Sequence, residues 1–191
     1  MTEVLVESAP EVAATEATVE SAAAERAATE AAAAEAPDAL FEEIRSRALK
    51  LLSTREHSRL ELARKLRQRG YPDAAVEAVI ESLVVDELLS EERLIAAYVA
   101  ERLGKGFGPL RIRAELREKG LSDERVQPYL ELDDQTLIDY LTQAYQKRFG
   151  ETEAEDRRAQ AKRARFLEYR GFPSHLIARF LGSSPSARST R

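Results

Sequence analysis

One short pattern occurs three times in this chain at nearly constant spacing: a cation, a glycine and a large apolar residue. The glycines are Gly70, Gly120 and Gly171, which lie 50 and 51 residues apart. Glycine accepts the left-handed conformation that often ends a helix. Residues at four fixed distances from each glycine are also similar in all three copies. They are Leu66, Leu116 and Leu167; Pro72, Ser122 and Pro173; Val76, Val126 and Ile177; and Ile80, Leu130 and Leu181. The sequence therefore predicts a tandem helical repeat, which restricts the fold to a row of similar units.

The apolar residues follow helical spacing throughout, and no segment shows the alternation typical of a half-buried strand. We therefore predict an all-α fold of three tandem three-helix, helix-turn-helix-like repeats in an elongated, curved arrangement. The predicted units are residues 37–89, 90–132 and 133–182.

The two ends of the chain differ in composition from these units. Residues 1–36 are mostly Ala and Glu, without an aromatic residue, and their glutamates recur every four or five positions. Such charges spiral around a helix and leave no apolar stripe to bury. We predict that residues 1–36 form a disordered acidic tail and that the Ser- and Arg-rich residues 183–191 are disordered as well.

The acidic tail also determines the net charge. It holds eight Glu and one Arg, so the other 155 residues carry about +2, although the whole chain carries −5. A protein that binds nucleic acid through bulk charge is usually far more basic. This composition argues against simple DNA binding as the main activity.

The composition also bears on the compartment. The chain has no cysteine, which fits a reducing environment. Its start lacks the features of a secretory signal, and no apolar run reaches the roughly 18 residues needed to span a bilayer. We expect a cytoplasmic monomer that does not associate with membranes.

A glycine-rich segment precedes the middle copy of the pattern. Gly104, Gly106 and Gly108 alternate with Lys105 and Phe107, and a proline then begins a short basic helix. The segment lacks the spacing of a nucleotide-binding P-loop, and it follows a helix, which also excludes a Rossmann motif. Two interpretations remain: a flexible loop that offers Lys105 and Phe107 to a partner, or a tight helix–helix turn with Phe107 in the core.

Charge alternates within the repeats. Net charges of +4, +4 and +5 fall on the second helices, in residues 55–70, 102–120 and 157–171, whereas residues 73–92 and 122–139 are strongly acidic. Stacked repeats would present the basic helices as a stripe that binds a partner, although solvated or internally paired charges are the alternative. The candidate partner-binding residues are Arg64, Arg67, Lys105, Phe107, Arg111, Arg113, Arg117, Lys162 and Arg165.

Catalytic residues are hard to assemble from this sequence. His57 and His175 are its only histidines, and each stands alone in a polar setting. The carboxylates occur at the spacing of ordinary helix surfaces. We therefore predict no catalytic residue, no metal site and no cofactor, and we do not expect an enzyme.

At this point the motifs resemble a known family. Residues 89–94 read L-S-E-E-R-L and residues 104–121 read G-K-G-F-G-P-L-R-I-R-A-E-L-R-E-K-G-L, which is similar to the signature of the RecX regulatory proteins. Residues 165–172 resemble the signature of that family's third repeat, and the resemblance covers about residues 40–181. It implies tandem three-helix repeats and a non-enzymatic modulator of the RecA recombinase. Such proteins bind the RecA–single-stranded DNA filament along its groove and limit its growth, ATP hydrolysis and strand exchange.

The resemblance also assigns residues. The positions that match the family's middle repeat are Lys105, Phe107, Arg111, Arg113 and Arg117. Two departures occur: Leu94 stands where the family commonly has Phe, and the third unit lacks the frequent Trp near Asp134. The alternative function is sequence-independent binding of single-stranded or duplex DNA, since three-helix units resemble helix-turn-helix modules.

Overall fold

A computed structural model describes residues 38–150 and 156–183 of the chain. These residues are all-helical and form no strand, which confirms the predicted all-α class and the three tandem helical units. The predicted disordered tail, residues 1–36, lies outside the described residues, as do residues 184–191 at the other end.

The described residues form nine helices in three consecutive groups. Unit 1 contains α1–α3, unit 2 contains α4–α6 and unit 3 contains α7–α9. In chain order the helices are α1 (residues 38–52), α2 (Arg59–Arg67), α3 (Asp73–Val85), α4 (Glu91–Gly104), α5 (Pro109–Glu118), α6 (Asp123–Leu130), α7 (Asp134–Phe149), α8 (Arg157–Arg170) and α9 (Ser174–Ser183).

Each unit has its own apolar core, and the repeated positions supply its centre. Leu66, Leu116 and Leu167 lie on the second helices and are all 0 % exposed. The third helices contribute the matching residues, all of them buried, which are Val76, Val126, Ile177, Ile80, Leu130 and Leu181. The repeat is therefore a packing pattern, because each unit buries the same stripe of its second and third helices.

The repeated glycines end the second helices. Gly70, Gly120 and Gly171 have φ angles of +88°, +85° and +87°, the left-handed conformation that favours glycine. In units 2 and 3 the next residue bonds back into the second helix, since the Leu121 N–H donates to the Leu116 carbonyl and the Phe172 N–H donates to the Leu167 carbonyl. The glycines thus turn the chain sharply between the second and third helices.

One helix boundary differs from the sequence-based expectation. The apolar pattern extends α3 to about Leu89, but the helix ends at Val85. Glu87 has a φ of +57°, and the N–H groups of Leu88 and Leu89 both donate to the Leu83 carbonyl. These hydrogen bonds end the helix and place Leu89 in the core. The sequence gives no signal for this helix end, because the left-handed position holds a glutamate where glycine is usual.

Units 1 and 2 meet where the C-terminal turn of α5 contacts the N-terminus of α2. Ser58 donates its hydroxyl hydrogen to the Lys119 carbonyl at 2.6 Å, and the Lys119 ammonium lies 2.7 Å from a Glu61 carboxylate oxygen. Leu60 covers Gly120 so closely that a Cβ there would lie 2.6 Å from the Leu60 Cδ2 atom. Ser58 and Glu61 also form the capping box of α2.

Units 2 and 3 meet in the corresponding way. The N–H of Gly108 donates to the Arg170 carbonyl at 2.8 Å, and the N–H of Leu110 donates to the Gly171 carbonyl at 3.0 Å. A helix leaves its first N–H groups and last carbonyls without internal partners. Here the N-terminus of α5 and the C-terminus of α8 satisfy each other, so the second helices lie end to end, in the order α8, α5 and α2.

We expect the joint between units 1 and 2 to weaken in acid through Glu61. Burial raises the pKa of this carboxyl, but hydrogen bonds from Lys119, Arg55 and the Ser58 N–H lower it more, to about 2. Because the folded pKa lies below the unfolded value of 4.5, the stabilisation is complete above about pH 4.5 and disappears as the pH falls toward 2. Glu61→Gln should lower the free energy of unfolding at pH 7 by about 1.5–3 kcal/mol.

Urea unfolding at pH 7, 5 and 3 measures this effect. The gap between Glu61→Gln and the unchanged protein should narrow toward pH 3, since the carboxyl of the unfolded chain takes up a proton below about pH 4.5 and the folded state must keep it ionised. Glu118→Gln is the matched control, because Glu118 is exposed near the same joint and makes no ion pair with the described residues. A gap that stays constant from pH 7 to pH 3 contradicts the role assigned to Glu61.

Candidate partner-binding surface

Three of the candidate residues pair inside their own unit. Arg67 on α2 contacts Asp73 at 2.6 Å and Glu77 at 2.5 Å, both on α3. Arg117 on α5 pairs with Asp123, and Arg113 donates to the Gln127 side chain, both on α6. The acidic third helices therefore neutralise much of the basic charge in units 1 and 2, as the internal-pairing interpretation predicts for these residues.

A second group lies at the joint between units 2 and 3. Phe107 is half-buried against the core of unit 2 and lies beneath three guanidinium groups. The centre of its ring is 3.7 Å from the guanidinium carbon of Arg102, 4.6 Å from that of Arg170 and 5.3 Å from that of Arg111. Lys105 is exposed and pairs with Glu101 one turn earlier. The structure thus places Phe107 in a tight turn, and the aromatic ring is largely covered by cation–π contacts.

Glu115 holds the arginines of this joint in place. Its carboxylate accepts from the Arg102 Nε at 2.7 Å, from the Arg111 Nε at 3.0 Å and from the Tyr98 hydroxyl at 3.0 Å. Burial raises the pKa of Glu115, but the bonds from Arg102, Arg111 and Tyr98 outweigh it and hold the pKa below its usual value. Burial and the hydrogen bond to Glu115 raise the pKa of Tyr98 to about 12.

The third group is exposed and without a carboxylate partner among the described residues. Arg64 on α2 and Lys162 and Arg165 on α8 belong to it. Arg158, Lys162, Arg165 and Tyr169 are spaced i, i+4, i+7 and i+11, so they share one face of α8, and Tyr169 is 71 % exposed. We call these four residues the α8 stripe.

Helix α9 differs in charge from the other third helices. Asp73 and Asp123 stand three residues after their glycines, whereas Ser174 occupies that place in unit 3. Helix α9 contains no Asp or Glu, and its Arg179 reaches back to Asp134 on α7 at 2.8 Å. Among the described residues, unit 3 therefore lacks the ion pairs between a basic second helix and an acidic third helix that units 1 and 2 contain.

Further cations lie around a pocket next to the joint between units 2 and 3. A pocket of about 250 Å³ is lined by Ala144 and by the cations Lys105, Lys147, Arg148 and Arg170. Lys147 and Arg148 end α7, and Arg170 donates to the Lys105 carbonyl at 3.1 Å. The surface of unit 3 is thus basic on α8 and at the end of α7.

His57 lies in a buried setting. His57 is 1 % exposed, where the sequence suggested a polar setting, and its Nε2 lies 2.8 Å from the Lys65 ammonium. Burial lowers the pKa of His57, so the neutral ring accepts this hydrogen bond. No three His, Asp or Glu side chains within residues 38–150 and 156–183 are placed to hold a metal ion together. Among these same residues, no helix has the length and apolar character to cross a membrane.

The sequence reasoning missed the polar residues that join the units. Ser58 and Glu61 form an S-x-x-E pattern, which is a readable capping-box signal. Glu115 and Tyr98 gave no such signal, because one carboxylate among many on a helix looks solvated until its neighbours are placed. Tyr169 and Leu110, which are 71 % and 56 % exposed, likewise become noticeable only once unit 3 is set against unit 2.

Comparison with known families matches each unit separately. The family model of the RecX first three-helix domain matches residues 45–83, that of the second domain matches residues 90–128, and that of the third matches residues 135–181. The three models occur once each and in their native order.

Whole-chain comparisons agree with this assignment. Regulatory protein RecX of Pseudomonas syringae pv. tomato is 42 % identical over 138 residues, which cover 72 % of this chain and 89 % of the relative. Regulatory protein RecX of Pseudomonas putida is 40 % identical over 138 residues, covering 72 % and 88 %. The crystal structure of RecX from Lactobacillus salivarius is 22 % identical with a TM-score of 0.64, covering 75 % of this chain and 96 % of that one, and so shares the fold. The chain belongs to the RecX family of regulatory proteins.

Proposed function

We propose that this protein is a non-enzymatic regulator of RecA that binds the RecA–single-stranded DNA filament along its groove. In this role it limits filament growth, ATP hydrolysis and strand exchange. The observation that carries the proposal is the match of all three RecX domains, in order, together with 42 % identity to a curated regulatory protein over nearly its whole length.

The arrangement of units supports binding to a repeating partner. The second helices of neighbouring units meet end to end, so the three units follow one another along the molecule. A row of weak sites can engage several subunits of a filament at once, and the linked contacts then combine into a stronger total affinity.

The exposed, unpaired cations are the contact residues that this proposal favours. Arg64, Lys162 and Arg165 could meet an acidic filament surface or a DNA phosphate without first breaking an ion pair to any described residue. Arg67, Arg113 and Arg117 already hold polar partners in their own units, so a filament contact would have to replace those bonds. We therefore assign the primary contact to the α8 stripe, with Arg64 as a second contact.

The test is single-stranded-DNA-dependent ATP hydrolysis by the cognate RecA at sub-stoichiometric amounts of this protein. We expect strong suppression well below one molecule per RecA subunit. Lys162→Glu with Arg165→Glu should raise the amount needed for half-suppression by roughly tenfold or more, since two attractive contacts become repulsive.

The matched control is Arg47→Glu with Lys50→Glu. These α1 residues are also exposed and also lack a carboxylate partner among the described residues, so the double variant makes the same change in net charge elsewhere. Equal loss in both double variants assigns the effect to bulk charge and rejects the α8 contact. An absence of suppression by the unchanged protein rejects the function itself.

Sequence-independent DNA binding remains the second candidate, and the α8 stripe favours it. Three cations followed by an exposed tyrosine on one helix face are typical of surfaces that bind single strands by phosphate contact and base stacking. This function requires tight binding to bare DNA without RecA and a steep loss of affinity with salt. Weak, salt-insensitive binding to bare DNA would eliminate it.

A further inference from the structure

Unit 3 carries more cationic charge than its described acids can neutralise. Of the acids at α7, Asp133 caps that helix, Asp134 pairs with Arg179, and Asp139 accepts from Gln135. Glu168 is the only acidic residue within helix α8. Helix α8 and the end of α7 therefore carry a group of exposed cations that have no carboxylate partner among the described residues, namely Lys147, Arg148, Arg157, Arg158, Lys162 and Arg165.

The same chain contains a segment of opposite composition. Residues 1–36 hold eight glutamates, one arginine and no lysine, for a net charge of −7. The single arginine of this segment cannot balance its eight glutamates. Units 1 and 2 already pair much of their own charge internally. The cations of unit 3 that have no carboxylate partner among the described residues form a surface of complementary charge within this molecule.

The segment is also long enough to reach that surface. Residues 1–37 precede α1, and at about 3.3 Å per residue they extend at most about 120 Å. The longest helix has 16 residues, so it measures about 24 Å, and three units side by side span about 70 Å. The segment can therefore cross from unit 1 to unit 3 without full extension.

We propose that the acidic segment, residues 1–36, binds in cis to the α8 stripe and competes there with anionic partners. A tethered segment acts at an effective concentration in the millimolar range, so even weak carboxylate–cation contacts keep the surface largely occupied. A filament or a nucleic acid then displaces the segment before it binds. The consequence for RecA rests on the proposed function, whereas the contact itself does not.

A closer acidic segment is the competing occupant. Glu151, Glu153 and Glu155 lie in residues 151–155, between α7 and α8 and outside the described residues. Three carboxylates cannot neutralise six cations, so about three positive charges remain for the longer segment. The two occupants predict that different substitutions will change ligand binding, and the competition experiment distinguishes between them.

The position of the segment can be measured directly. The chain has no cysteine, so Ser21→Cys places a single spin label in the middle of the acidic segment of the full-length protein. We expect paramagnetic broadening of the amides of Lys162 and Arg165, much less broadening at Arg64, and its disappearance in about 0.5 M salt, where charges are screened beyond about 3–5 Å. Equal broadening over α2 and α8, or none, overturns the proposal without any reference to RecA.

Competition supplies the second readout. The probe is a labelled single-stranded oligonucleotide of about 20 nucleotides, and binding is followed by fluorescence anisotropy. Changing the eight glutamates of residues 1–36 to Gln in the full chain should tighten binding by about tenfold. The gain should vanish when Arg158, Lys162 and Arg165 are also changed to Glu. A gain that persists in that background reflects bulk charge, and a gain produced only by Gln at positions 151, 153 and 155 assigns the surface to the connection; either result rejects the proposal.

Discussion

Gly108→Ala should open the joint between units 2 and 3 and lower the stability of their contact by about 2–4 kcal/mol. A Cβ at this position would lie 2.4 Å from the Gly171 carbonyl oxygen and 2.6 Å from the Phe172 nitrogen, both of which are backbone atoms that cannot rotate away. The φ of Gly108 is −92°, which any residue adopts, so the whole effect is steric. Separation of the helices also breaks the hydrogen bonds from Gly108 and Leu110 to the C-terminus of α8.

Three other glycines provide matched controls for this prediction. Gly104 lies in α4, and a methyl group added to it would meet open space, so Gly104→Ala should be neutral or stabilise by up to about 1 kcal/mol. Gly70 has open space but a φ of +88°, so Gly70→Ala should cost about 1 kcal/mol through backbone strain alone. Gly171→Ala combines strain with a methyl group 2.4 Å from the Arg111 nitrogen, and it should be the most damaging of the four.

Hydrogen exchange and small-angle X-ray scattering measure the result. In Gly108→Ala the amides of residue 108 and Leu110 should exchange faster, and the radius of gyration should increase, while the core amides of each unit stay protected. If Gly108→Ala behaves like Gly104→Ala in both measurements, units 2 and 3 do not meet at this glycine.

The sequence predicted the units better than it predicted their joints, for a physical reason. A leucine such as Leu116 is buried by its own unit, so its role appears in local spacing. Gly171, by contrast, has two functions: its φ angle turns the chain, which the K/R-G pattern revealed, and its missing side chain admits the backbone of α5, which depends on residues about 60 positions away. Local spacing contains no information about that second function.

The candidate surface shows the same division. The sequence alone showed that the second helices carry a net positive charge. The structure shows that their cations differ in the side chains that lie opposite them. Arg117 pairs with Asp123, whereas Lys162 and Arg165 have no carboxylate partner among the described residues, and α9 itself carries no acid. The sequence already contained this difference in the lack of Asp and Glu from residues 174–183, but only the placement of third helix against second helix gives it meaning.

Glu115→Gln should be about as damaging as Gly108→Ala, with an expected loss of about 2–4 kcal/mol at pH 7. The side chains of Glu115 and Arg102 are each 18 % exposed, so loss of the carboxylate leaves a poorly solvated guanidinium with a weaker partner. Arg102 lies against Phe107 and Arg111 bonds to the same carboxylate, so the change also loosens the turn that carries Gly108. Urea unfolding at pH 7 measures the loss.

Tyr98 reports on the same change independently of stability. Its folded pKa of about 12 lies above the usual value of 10, so its contribution to stability is complete below pH 10 and is lost as the pH rises toward 12. Absorbance titration near 295 nm should show one late-ionising tyrosine, and Glu115→Gln should shift that tyrosine toward pH 10, because the carboxylate that opposes ionisation is gone. Tyr98→Phe should remove the late titration at a cost of only about 1 kcal/mol, since the bonds from Arg102 and Arg111 to Glu115 remain. An unchanged late titration in Glu115→Gln would mean that burial alone raises the pKa of Tyr98 and that Glu115 does not organise this joint.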